Sequence, residues 1–138
     1  MKLLHHLLGL RRPLVPVYEP LLPLSEHDKA LVQRFVQMDV DSRIMRIIDA
    51  GESADLSEFP LLQFAIAADL DLHVKLAALR RIHLFYDHPR AVPMMTELKE
   101  KKVIQDLEPY LSIALQQFHL IDGDEFKRRI YEANNADA

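Results

Sequence analysis

Apolar residues recur at three- and four-residue spacing along most of the chain, the period of α-helices that bury one face. Leu31, Val32, Phe35 and Val36 form the first stripe. Ser25 stands before it as a good N-cap, with Asp28 in the first turn, and the helix is predicted to run to about Met38. Asp41 or Ser42 is expected to cap the next helix, with Ile44, Ile47 and Ile48 inward and Gly51 as its stop. Residues 52–57 read as a polar loop. Ser57 is expected to cap a third helix, with Pro60 tolerated in its first turn. That helix is apolar nearly all round and should be central. Asp71 caps a fourth helix, predicted to reach about Tyr86 with Val74, Ala77, Ala78, Ile82 and Phe85 on one face, until Asp87-His88-Pro89 stops it. Pro93 starts a fifth helix, which carries Met94, Met95 and Leu98 and ends over 99–102. Pro109 opens a sixth with Leu111, Ala114, Leu115 and Phe118. Asp122-Gly123-Asp124 reads as a turn before a last helix that holds Phe126 and Ile130.

The first two dozen residues read differently. Pro13, Pro16, Pro20 and Pro23 fall within 13–23, and proline fixes φ and lacks an N–H, so an extended strap is expected there. Its PxxP spacing matches what SH3-like domains bind. Leucines at 3, 4, 7 and 8 make a short helical stripe beside Lys2, Arg11 and Arg12. Two readings follow: a helix docked on the core or a partly frayed terminus, against an anchor on anionic head groups. His5 and His6 interrupt the leucines and no small-residue cleavage site follows, so a secretory signal is not expected and the reading is cytoplasmic. The expected organisation is a short helix and strap over 1–24, a helical domain over 25–134 and a frayed tail over 135–138. The fold class is all-α: one compact domain of six or seven helices in antiparallel α–α hairpins.

Composition narrows the chemistry. With 138 residues, 49% hydrophobic and 28% charged, the chain is long and apolar enough to bury a core. Only 3 glycines make β-hairpins and glycine-rich phosphate loops improbable. The absence of cysteine excludes disulfides, thiolate metal sites and cysteine nucleophiles. A net charge of −4 argues against a nucleic-acid binder, so Arg80-Arg81, the lysines of 99–102 and Lys127-Arg128-Arg129 read as solvated helix faces.

Residues 69–82, DLDLHVKLAALRRI, carry aspartates at a turn, then Val-Lys, small residues and Leu, at Asp69, Asp71, Val74, Lys75, Ala77, Ala78 and Leu79. This segment resembles the second helix of a HEAT-type repeat, with residues 59–68 as the first helix. The resemblance covers 59–82 only. It implies close α–α packing across Ala77 and Ala78 and a scaffold that binds other proteins, with no catalytic residues.

No nucleophile elbow, Walker, Rossmann or EF-hand pattern is present. His27-Asp28 resembles the paired ligands of HD-type phosphohydrolases, which makes a helical metal-dependent hydrolase using His27, Asp28, Asp87 and His88 one alternative. The other reading of the same residues is an exposed first turn at His27-Asp28 and a helix-end imidazole at His88. The expected function is a non-enzymatic protein-binding module, an adaptor or an immunity protein that inhibits a basic toxin, with no cofactor and no metal. Six carboxylates within twenty residues, Asp39, Asp41, Asp49, Glu52, Asp55 and Glu58, are the expected partner surface. Ordinary loop and cap polarity is the competing account of that cluster. A membrane-surface adaptor working through 1–12 is the third reading.

Overall fold

The computed structural model describes residues 25–101 and 105–135, where all regular structure is helical. Seven α-helices follow in order: α1 (Glu26–Val36), α2 (Val40–Ser53), α3 (Phe59–Ala68), α4 (Leu72–Leu79), α5 (Ala91–Glu100), α6 (Tyr110–Gln117) and α7 (Gly123–Asn134). Short 3-10 turns lie at Leu56–Glu58, Ile82–Phe85 and Gln105–Leu107. The strap and leucine stripe predicted within 1–24 lie outside the described residues, as do 136–138. Among the described residues, no helix is long and apolar enough to cross a membrane.

Side-chain caps set most helix starts. Ser25 Oγ accepts the Asp28 N–H at 3.1 Å, as expected for α1. Asp71 Oδ1 accepts the Val74 N–H at 3.1 Å and opens α4, also as expected. For α2 the cap is Asp39, not Asp41 or Ser42: Asp39 Oδ1 accepts the Ser42 N–H at 2.8 Å, which leaves Asp41 in the first turn. Ser57 is likewise not the cap of α3. Asp55 accepts from the Ser57 N–H and starts the 3-10 turn that leads into α3, whose Pro60 needs no donor that early. After α6, His119 takes φ 58°, and bonds from His119 N–H to Gln116 O and from Leu120 N–H to Leu115 O close the helix end.

Two helix ends differ from those predicted. Gly51 does not stop α2. The helix continues to Ser53, and Ala54 takes the left-handed position at φ 51°. Helix α4 ends at Leu79, not near Tyr86. A 3-10 turn brings residues three apart onto one side, so Ile82 and Phe85 stay buried after the α-helix has ended. That spacing is also what makes the sequence read as one longer helix.

The core centres on α3 and α4. Phe59, Leu61, Leu62, Ala65 and Ile66 of α3 and Val74, Ala78 and Leu79 of α4 are buried together. Helix α4 packs on both α2 and α3 and also meets α6, so small Ala78 sits where helices converge. Helix α1 lies on α3, with Phe35 edge-on to Phe64 at 6.1 Å. Helices α6 and α7 pack on each other. Arg129 of α7 is buried, against the expectation of a solvated basic face. Its Nε reaches Ser112 Oγ at 3.2 Å and Glu108 Oε2 at 3.8 Å.

Candidate functional site

Helix α2 has two unlike sides. Ile47, Ala50 and Gly51 face the core. Asp41, Met45 and Asp49, each four residues apart, share the opposite stripe, and Glu52 follows three residues on. All four are exposed, Met45 at 55%. Beside this stripe a shallow groove of about 360 Å³ is lined by Met38, Asp41, Ser42, Met45, Arg46 and Asp49.

The six predicted carboxylates divide into two groups. Asp39, Asp55 and Glu58 are engaged in the fold. The backbone N–H and hydroxyl of Ser42 hold Asp39 below the usual carboxylate range, and those of Ser57 do the same for Asp55. Glu58 accepts Arg46 Nη2 on both oxygens, at 2.9 and 2.7 Å. Asp41, Asp49 and Glu52 have no hydrogen-bonded or ionic partner among the described residues. Arg46 lines the groove, but its charge is matched by Glu58, so the carboxylates of Asp41 and Asp49 set the sign of the groove.

A second hollow, of about 320 Å³, is lined by Val36, Arg43, Phe64, Ala68, Asp69 and Leu70. The sequence did not point to it. An ion pair between half-buried Arg43 and buried Asp69 lines it: Arg43 Nε donates to Asp69 Oδ2 at 2.9 Å and Arg43 Nη2 to Asp69 Oδ1 at 3.3 Å. Arg43 Nη1 also donates to Met38 O at 2.7 Å, which ties the end of α1 to α2. Behind it, Lys75 is only 1% exposed, and its Nζ donates to Ile66 O at 2.9 Å. Burial pushes this amine down from 10.5 to about 8, against the opposing pull of the Asp69 charge. The one early signal for this hollow is Leu70, a lone apolar residue between two aspartates of a turn.

The residues of the hydrolase reading do not assemble as ligands. Asp28 pairs with Arg90 at 3.6 Å. His88 stacks on Phe59 with ring centroids 4.1 Å apart, and its Nδ1 accepts the Arg90 N–H at 3.1 Å. Burial and the neighbouring Arg90 charge push its pKa down, and Asp28 opposes them. His27 and Asp87 are exposed. Among the described residues, no group of three or more His, Asp or Glu side chains is placed to hold a metal ion. Asp28 and His88 therefore share a corner organised by a guanidinium and an aromatic ring.

Comparison of the chain with protein-family models, curated proteins and solved structures gives no match.

Proposed function

We propose that this chain is a non-enzymatic protein-binding module that docks a basic partner protein on the outer face of α2, as an immunity protein or adaptor would. The observation that carries the reading is the Asp41–Met45–Asp49 stripe, an exposed methionine between carboxylates that have no hydrogen-bonded or ionic partner among the described residues. Methionine is flexible and polarizable and adapts to a partner's apolar side chain. Unpaired carboxylates steer a basic partner and speed its encounter. The HEAT-type resemblance of 59–82 supports the same class, since such repeats serve as binding scaffolds. A cytoplasmic location belongs to the same proposal.

The test is affinity capture on the immobilised full chain, compared with the variant Met45→Lys/Asp49→Lys and read by mass spectrometry. The expected result is a basic protein in stoichiometric amount on the parent chain and absent from the variant. Equal recovery on both surfaces overturns the proposal.

A further inference from the structure

Four of the nine large apolar residues most exposed among the described residues, Val36, Val40, Met45 and Leu70, belong to α1, α2 and the turn after α3. Val36 and Leu70 line the hollow over Asp69, and Met45 lines the groove beside α2. The two depressions are neighbours. Arg43 lines one, Ser42 and Arg46 line the other, and the bond from Arg43 to the Met38 carbonyl joins them. Three hydrogen bonds hold that guanidinium in place.

We infer that the docked element is a basic amphipathic helix of the partner, which seats apolar side chains in both depressions at once. This rests on the proposal above and extends the site to Val36, Phe64 and Leu70. Charge, symmetry and backbone geometry choose the occupant. The charges of Arg43 and Arg46 are matched by Asp69 and Glu58, while Asp41 and Asp49 are unmatched among the described residues, so a cationic occupant complements the rim. A second copy of this chain is a poor occupant, because a two-fold contact through this face sets Asp41 and Asp49 against their own counterparts. An extended peptide has no sheet edge to join among the described residues, whereas a helix places anchors at i, i+3/i+4 and i+7 into adjacent hollows.

The probe is a synthetic leucine/lysine helical peptide added to the 15N-labelled full chain. Its controls are a leucine/glutamate peptide of the same pattern and a leucine/lysine peptide broken by a central proline. The expected result is saturable shifts at Val36, Arg43, Met45 and Leu70 with the first peptide and none with either control. Leu70→Ser should weaken that binding at least about fivefold, and Asp41→Lys/Asp49→Lys should remove it. If the charge reversal removes binding but Leu70→Ser leaves it unchanged, the two-hollow inference falls and the α2 reading stands. If neither variant changes binding, both fall. Equal binding of the proline-broken peptide overturns the helical occupant. A concentration-dependent dimer abolished by Leu70→Ser overturns the heterologous one.

Discussion

The side chain of Arg81 crosses Gly51 so closely that a β-carbon there would lie 2.6 Å from Arg81 Cδ and 3.0 Å from Cγ. Gly51 thus serves a close approach inside α2, not a helix stop. Arg81 is held in place by its own bond from Nη1 to Ala77 O at 2.9 Å.

Gly51→Ala should therefore destabilise the domain, although alanine is the better helix former by about 1 kcal/mol. Overpacking costs roughly 1–3 kcal/mol and outweighs that gain, so the melting temperature should fall by a few degrees. In an Arg81→Ala background the same change should cost less, because the contacts to Cγ and Cδ are gone and only the 3.2 Å contact to Cβ remains. Thermal denaturation of the four proteins of this cycle checks both the loss and its reduction.

Lys75 should make stability rise on the alkaline side. Its folded pKa of about 8 lies below the usual 10.5, so between those values the unfolded chain binds more protons than the folded one. Stability then increases with pH across that window, by at most about 1.4 kcal/mol per unit. Chemical denaturation of the parent and Lys75→Met at pH 7 and pH 10 should show this gain in the parent and not in the variant. An equal pH dependence in both would mean that Lys75 is not desolvated.

His88 should act on the acid side. Its folded pKa lies below the ordinary value of 6.5, pushed down first by burial and then by Arg90, with Asp28 opposing. Stability linked to the neutral ring is intact above about 6.5 and is lost as pH falls below it, because the unfolded histidine protonates first. His88→Phe keeps a ring against Phe59 and removes the titration. Its melting temperature should therefore fall less than the parent's between pH 7.5 and pH 5.5, as read by calorimetry.

Much of the fold was legible because its signals are local. Ser25, Asp71, Pro60 and Pro109 mark helix starts at or beside the observed ones, and α3, apolar but for Gln63, is the centre of the core. What the sequence hid depends on distant contacts. The identity of Gly51 does not say that Arg81 crosses it. Arg129 read as part of a solvated basic face and Lys75 only as a step of a repeat-like pattern, because the groups that receive them, Ser112 and the Ile66 carbonyl, lie seventeen and nine residues away. In the candidate site, composition found the carboxylates but could not divide them. Asp39 and Asp41 compete for one cap at a spacing of two residues, and only the backbone turn decides that Asp39 wins. The hollow at Leu70 was hidden because α1, α2 and the turn after α3 build it together.

The most direct measurement of the central claim is the association rate of the captured partner as a function of ionic strength. The parent full chain is compared with the triple variant Asp41→Lys/Asp49→Lys/Glu52→Lys. These carboxylates are exposed and unpaired among the described residues, so their reversal should leave the melting temperature nearly unchanged. If α2 presents the docking face, the parent's rate falls as salt screens its carboxylates. The variant should associate about tenfold more slowly or worse at low salt, with a flat or inverted salt dependence. Equal rates and equal salt slopes for the two proteins would contradict the assignment of the outer face of α2 as the binding surface.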